Sequence, residues 1–464
     1  MRASSQKYAR LLHELKLMIV GGELRKGDYM PSENTLVRQF GVSRPTVRKA
    51  VAELADQGLL DTIPGKGSVV RGLECSELQV TVLNLYWYMP SHEYPLIRKI
   101  VSRFNDEHTH IQVRLVPFQS ESTPSIYAGY RSGNSRDHKP DLMSITNRFM
   151  MELRSEPIHT ILRPLDGRDV NEHVYPFLWK ANVHDGRLYA APITFSPVML
   201  LYNKSMFDQE GISYPDIGWK WDDLAAAASR LTRRADDGTI QYGFAFSPSF
   251  FRWPLFFLQA GGRFVRNGDA CQTGQEDNAG IRFILDLLYK HQSAPLLLRS
   301  VGLSEQLFQK GKAGMILSTF YLSEQQNRSD AFEWGAAKFP AGAVDKSLAI
   351  STSIGISAEC AHVQEALTFI RYVLSKPIQA YIKANGTTLP AAPEVAESAQ
   401  YPHSAFRGSG YYTFKETLSD IELVHALGLD FSQVNELTTA MEMVWCRTET
   451  FERVWRSFLR ANES

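Results

Sequence analysis

An α/β body behind a small head of three helices and a β-hairpin is the architecture that three features of this 464-residue sequence predict. The first is an uneven charge. Residues 1–72 carry 12 Lys and Arg against 7 Asp and Glu, and the rest of the chain carries 38 against 43. A formal net charge of zero therefore hides a basic head and a mildly acidic body, a reason to test the head for nucleic-acid contact. The second is a change of period: three helical repeats and two β-rich runs occupy the head, whereas strands and helices alternate beyond residue 79. The third is a hydrophobic content of 44%, ordinary for globular protein and too high for wholesale disorder.

In the head, Tyr8, Leu11, Leu12, Leu15 and Ile19 recur at helical spacing, and Gly21-Gly22 ends that helix. Ser32, after Pro31, caps a second helix that runs to Phe40 and breaks at Gly41. Ser43 caps a third, with Val47, Ala50, Val51 and Leu54 on one face and Arg44, Arg48 and Lys49 off it. Residues 59–63 and 68–70 read as two short strands around the turn Pro64-Gly65-Lys66-Gly67. Three helices and a hairpin make the winged helix-turn-helix layout. The major groove admits one α-helix, arginine pairs with guanine in bidentate fashion, and a helix N-terminus offers N–H groups to phosphate. A Gly-Lys-Gly tip puts one cation on a thin loop that can approach the minor groove.

The series Pro31-Ser32-Glu33-Asn34, Gly41-Val42-Ser43-Arg44-Pro45-Thr46-Val47-Arg48-Lys49-Ala50, Gly58-Leu59-Leu60 and Gly65-Lys66-Gly67-Ser68 resembles the head of the gluconate-repressor (GntR) family. The resemblance implies DNA contacts by Arg44, Thr46 and Arg48 of the recognition helix and by Lys66 of the wing. Ser32, Ser43, Lys49 and Gly67 complete the candidate set. Many members carry Arg where this chain has Asn34. The family also implies a homodimer on a near-palindromic double-stranded operator. The expected domains are a head over 1–72, a linker over 73–78 and an effector body over 79–464.

In the body, residues 78–87 read as a strand, 95–105 as a helix, 111–118 as a strand and 140–145 as another. No phosphate loop, Gly-x-Ser-x-Gly elbow or His-Glu-x-x-His occurs. His108-Thr109-His110 sits in a polar stretch and reads as a solvated loop. Cys75, Cys271, Cys360 and Cys446 are scattered without a Cys-x-x-Cys pair, so reduced thiols are expected rather than a zinc site. No metal, cofactor or catalytic residue is assigned. Aromatic clusters at Tyr86-Trp87-Tyr88, Phe250-Phe251-Arg252-Trp253 and Phe320-Tyr321 suit a small-ligand pocket, sugars in particular.

The body resembles the family 1 extracellular solute-binding proteins of sugar-type ABC importers. The ordered pieces include Val174-Tyr175-Pro176-Phe177, Asp185 through Pro192, Leu201-Tyr202-Asn203-Lys204, Trp219 through Leu224, Trp253-Pro254-Leu255 and Phe308 through Met315. A helix from Ala361 to Ala384 follows, ending at Asn385-Gly386 before Leu389-Pro390, and the match beyond residue 400 is a helical tail. This resemblance implies a type II periplasmic-binding-protein-like fold, two α/β lobes with a hinge and an interlobe cleft. It carries ligand contacts onto Asn147, Arg148, Ser196, Phe250, Trp253 and Tyr321, with Trp87 as a further contact. Maltose-binding relatives carry an acidic residue at Ser196 and tryptophan at Tyr321, so maltose specificity does not transfer.

No apolar core suited to a secretory signal follows the N-terminal residues, and no apolar run approaches the ~20 residues needed to cross a bilayer. A cytoplasmic, non-enzymatic transcription regulator sensing a small molecule, a sugar or oligosaccharide, is the resulting expectation. Two alternatives are weighed beside it. A GntR head on a pyridoxal-phosphate aminotransferase-like body needs a Schiff-base lysine, for which Ser375-Lys376 offers the nearest context. A solute carrier for transport needs export.

Overall fold

The computed structural model describes residues 8, 11–12, 14–16, 18–19, 23–63, 67–71, 80–89, 91–118, 139–153, 156–167, 170, 173–264, 278–298, 302–322, 332–403 and 410–462. These form two compact units, residues 1–84 with 101–114, and residues 85–100 with 115–464.

The head lies in the first unit. The described residues between 8 and 19 are helical, and Leu11, Leu15 and Ile19 are buried on one face. The second helix, Glu33–Phe40, begins behind Ser32, whose hydroxyl accepts the Thr35 N–H at 3.2 Å. It stops at Gly41, whose φ of +62° a Cβ would strain. The third helix is Arg44–Asp56, with Pro45 in its first turn. Ser43 stands at its N-cap, but its hydroxyl bonds the Thr46 hydroxyl at 2.8 Å instead of a backbone N–H. A side-chain oxygen one turn on has taken the place of the backbone donor. Strands β1 (Leu60–Ile63) and β2 (Gly67–Val70) pair antiparallel with Ile63 opposite Gly67. The tip residues 64–66, Lys66 among them, lie outside the described residues, as do linker residues 73–78. Leu36, Val47, Ala50 and Leu54 close the core against Leu59, Leu60 and Val70.

The body is built on one curled sheet. Its strands are β3 (Thr81–Tyr88), β4 (Ile111–Phe118), β5 (Leu142–Thr146), β8 (Ala191–Asn203), β9 (Arg233–Arg234), β10 (Ile240–Phe246), β11 (Ala313–Thr319) and β13 (Ser347–Ile356), in the order β4-β3-β5-β13-β8-β11-β10-β9. The short β6 (Val183–His184) and β7 (Arg187–Leu188) form a separate hairpin. β12 (Trp334–Ala337) and β14 (Leu389–Pro390) pair with β8, and β15 (Ile421–Leu423) with β13.

Strand β8 explains the two lobes. It is 13 residues long and buried throughout, more than twice the usual ~5–6 residues. Its first half pairs with β13, Ile350 opposite Ser196 and Ala349 opposite Pro197. Its second half pairs with β11, from Val198 opposite Thr319 to Tyr202 opposite Met315. The chain changes sheet partner between Pro197 and Val198. One lobe is thus organised around β3, β5 and β13, and the other around β10 and β11.

Two expectations change here. The span from 361 to 384 is two helices, Val363–Leu374 and Lys376–Asn385, divided at Ser375 with extended dihedrals of −64° and 146°. Pro377 accounts for the break: inside a continuous helix it would supply no N–H to the Val373 carbonyl and its ring would clash there, whereas the first turn of a new helix accepts it. The tail is also integral to the body. Helices Phe431–Trp445 and Phe451–Ala461 bury Val434, Leu437, Met441, Trp445, Trp455 and Phe458 in the same core as Phe256, Phe257 and Ile284. No helix among the described residues is long and apolar enough to cross a membrane.

Candidate functional site

Two pairs of parallel strands aim their C-terminal ends at one cavity. β3 and β5 run parallel in one lobe, and β10 and β11 in the other. Ligands of open α/β sheets bind outside such strand ends. Residues at the end of β3 and after it (Tyr88, Ser91, His92), at the end of β5 and after it (Thr146, Asn147, Arg148), after β10 (Ser247, Ser249, Phe251, Arg252) and at the end of β11 and after it (Ser318, Thr319, Tyr321) line a cavity of 670 Å³. Ile350, Ser351 and Thr352 of β13 and Glu305 complete its polar and apolar wall. The volume falls within the ~300–1,000 Å³ of small-molecule sites.

Asn147 is fixed by its oxygen. The Ser351 N–H can only donate, and it lies 3.0 Å from Asn147 Oδ1. The same oxygen is 3.3 Å from the Ser351 hydroxyl and 3.0 Å from Nδ1 of buried His425. The Asn147 amide nitrogen takes part in none of these three contacts. Arg148 lies with its guanidinium carbon 4.6 Å from the centroid of the Phe431 ring and its Nε 3.4 Å from Glu152. His425 and Phe431 both belong to the C-terminal segment, so the tail supports two residues of the wall.

Tyr321 packs against the ring of His92, with centroids 5.5 Å apart. Burial, and secondarily the neighbouring Glu93 carboxylate, keep its hydroxyl protonated well above the ordinary phenol range. Glu93 sits behind the wall. It accepts hydroxyls from Thr194 at 2.5 Å and Thr388 at 2.9 Å, and burial pushes its carboxyl above the usual range against those hydrogen bonds. Glu305 accepts from the Ser304 hydroxyl at 2.6 Å and the Ser318 hydroxyl at 3.2 Å.

Of the expected ligand contacts, Asn147, Arg148 and Tyr321 lie together on the cavity wall. Trp87, Phe250 and Trp253 do not line it; each is at most 2% exposed. Trp253 packs edge-on to Phe250 at 5.9 Å and to Trp445 at 6.1 Å, inside the hydrophobic core. Their sequence neighbours Tyr88, Phe251 and Arg252 reach the cavity instead. Ser196 is fully buried, and its hydroxyl accepts the Phe320 N–H at 2.8 Å, which ties β8 to the residue before Tyr321. Sequence reasoning held Tyr88, Phe251 and Arg252 only as members of aromatic clusters and missed Glu305, His425 and Phe431. For Tyr88 the missing signal was phase, because a step of one residue along a strand reverses the face; Phe251 lies in a turn, where no period applies.

The head presents a polar surface on the second and third helices. Ser32, Ser43, Arg44, Arg48 and Lys49 are exposed and Thr46 is half-buried. Arg44 Nη2 donates to Asn34 Oδ1 at 2.8 Å, and Arg48 Nε to Glu33 Oε1 at 2.8 Å. The Arg48 hydrogen bond holds the Glu33 carboxyl below its usual range. Lys49 takes a different direction, its Nζ 4.6 Å from the centroid of the Tyr8 ring. Gly67 opens β2 with φ +108°, backbone that glycine tolerates.

Lys376 does not resemble a Schiff-base lysine. Its Nζ is 3.1 Å from Glu394, both side chains are about half exposed, and the pairing raises the ammonium pKa. An activated lysine needs the opposite shift.

Comparison with known proteins agrees with this two-part construction. Residues 90–380 match the family model described as bacterial extracellular solute-binding protein, and residues 7–70 match that of bacterial regulatory proteins, gntR family. A binding protein of Brucella abortus is 25% identical over 280 residues, which cover 57% of this chain and 66% of that protein. The chain thus spans slightly under two thirds of that relative. The mannosyl-D-glycerate transport/metabolism system repressor of Escherichia coli is 41% identical over 64 residues, 14% of this chain and 27% of that one. Among solved structures, an ABC substrate-binding protein of Listeria monocytogenes in complex with cycloalternan superimposes with a TM-score of 0.68 at 17% identity. That match covers 82% of this chain and 98% of the other.

Proposed function

We propose that this chain, which belongs to the bacterial extracellular solute-binding protein family and begins with a gntR-family head, is a DNA-binding transcription regulator that senses a sugar or oligosaccharide. The observation that carries the reading is the joining, in one chain, of a winged head to a cavity at four convergent strand ends. In this reading the protein is a sensor and not an enzyme. Its place of action is the cytoplasm, where the operator is.

In this reading residues 1–72 are the DNA-binding domain, 73–78 the linker and 79–464 the effector domain. Arg44, Thr46 and Arg48 read base edges. Ser32, Ser43, Lys49, Lys66 and Gly67 contact the DNA backbone or the minor groove. Asn147, Arg148 and Tyr321 hold the ligand, with Tyr88 and Phe251 as stacking faces in place of Trp87, Phe250 and Trp253. Ser196 acts from behind the wall through the Phe320 N–H. Two copies engage a near-palindromic site with half-sites about 34 Å, one helical turn, or a multiple of it apart.

Ligand binding closes the lobes about β8 and β13, a hinge motion, and closure alters how the two heads meet their half-sites. The support for this hinge is the exchange of sheet partners at Pro197 and Val198. A gel-shift assay with the DNA upstream of the chain's own gene tests the regulator reading. A discrete complex that resists nonspecific competitor, and that Arg44→Ala or Arg48→Ala weakens, is expected. Equal affinity for unrelated DNA would overturn it.

A further inference from the structure

Arg252 is the least compensated charge in the cavity. It lies in the loop after β10 and lines the cavity wall. Its Nη1 donates to the carbonyl of Phe251, its own neighbour, at 2.9 Å, and its Nε is buried without a hydrogen-bond partner among the described residues. Burial pulls its pKa below the usual guanidinium value, and Glu305 offsets this only in part. A guanidinium nevertheless stays charged at any physiological pH.

The other charges of the wall are provided for. Arg148 has Glu152 and the Phe431 ring. Glu305, the acidic residue of the wall, has both oxygens on serine hydroxyls and makes no ion pair with Arg252 within 4 Å. The asymmetry is therefore specific: both carboxylate oxygens are hydrogen-bonded, whereas the guanidinium bonds one neutral carbonyl and its buried Nε has no partner among the described residues. An unmatched buried cation costs stability, and a planar fork of donors suits a two-oxygen anion.

We propose that the ligand is an acidic carbohydrate, carrying a carboxylate as in a uronic acid or a phosphate as in a sugar phosphate, and that Arg252 receives this anionic group. The serine-held Glu305 accepts hydroxyl hydrogen bonds from the rest of the ligand, which fixes its direction in the cavity. This rests on the sugar-sensor reading and adds the charge of the ligand to it.

The test uses the purified full-length chain and matched trios: glucose, glucuronate and glucose 6-phosphate; galactose, galacturonate and galactose 6-phosphate; and maltose and cellobiose beside their uronic-acid and phosphorylated counterparts. Thermal-shift screening is followed by calorimetric titration of each compound that raises Tm. Within the best trio the acidic member is expected to bind about tenfold or more tightly than the neutral one. The carboxylate and phosphate arms identify the group. Arg252→Gln removes the preference and Arg252→Lys retains part of it. Unliganded Arg252→Gln keeps or raises its Tm because a buried charge has gone, whereas a purely structural role for Arg252 would lower it. A neutral member binding as tightly as its acidic counterpart overturns this inference and leaves the sugar sensor standing. Binding of none of these carbohydrates, at millimolar concentration, overturns both.

Discussion

Substituting Asn147 in two ways separates its structural work from its ligand work. The Asn147→Ala variant leaves the Ser351 N–H without the oxygen it reaches at 3.0 Å. That donor is buried, and a stranded buried donor costs about 1–3 kcal/mol, so the body loses roughly that much and its Tm falls by roughly 2–6 °C. Asn147→Asp retains an oxygen at that point and replaces only the amide nitrogen that faces the cavity. Its stability should stay near that of the parent. Its affinity for a neutral carbohydrate should fall by one hydrogen bond, about 0.5–1.5 kcal/mol or roughly two- to twelvefold, and further for an anion. Thermal unfolding and titration calorimetry on both variants give the comparison. Equal Tm losses for Asp and Ala, or unchanged ligand affinity in Asp, would refute the assignment of oxygen inward and nitrogen to ligand.

The remaining expectations address the head, the core and the buried carboxyl. Arg44→Ala and Arg48→Ala should each cost about 1–3 kcal/mol of operator affinity and relax preference at one base pair, read by competition with singly substituted operators. Trp253→Ala removes a fully buried ring and should destabilise the body by about 3–5 kcal/mol, detected as lower Tm with ligand affinity per folded molecule nearly unchanged. Glu93 has a folded pKa raised by burial, so the native state holds its proton in a range where the unfolded state has released it. That proton's contribution is present below the unfolded value and is lost as pH rises through the folded one. Glu93→Gln should therefore gain Tm over the parent as pH rises from 5 to 8, in a series of scans at fixed ionic strength, and a constant difference across that range would contradict it.

The helices of the head were legible because turns and caps punctuate them: Ser32 caps the second, Gly41 and Gly58 take the positive φ that follows the second and third, and Ser43 stands at the third N-cap although its hydroxyl turns to Thr46. The body was legible as an ordered series of pieces and therefore as a fold. Its cavity was legible only in part. Asn147 and Arg148 directly follow a short strand and Tyr321 closely follows another, so the strand ends announce them. Trp253 and Phe250 point the other way because a loop between strand and helix has no fixed period, and large aromatic side chains gain most from full burial. His425 and Phe431 reach the site across more than 270 residues of chain. No local pattern encodes such contacts; the tertiary packing of the tail creates them.

The claim that one chain couples ligand to DNA is tested most directly by measuring each affinity in the presence of the other partner. Fluorescence anisotropy with labelled upstream DNA, without carbohydrate and with a saturating amount of the member that binds, gives one coupling factor; calorimetry of that carbohydrate with free and DNA-bound protein gives the other. The account predicts two equal factors, about fivefold or larger, as linkage demands. Sequence-specific DNA binding that no bound carbohydrate alters, with a carbohydrate affinity that DNA leaves unchanged, would contradict it.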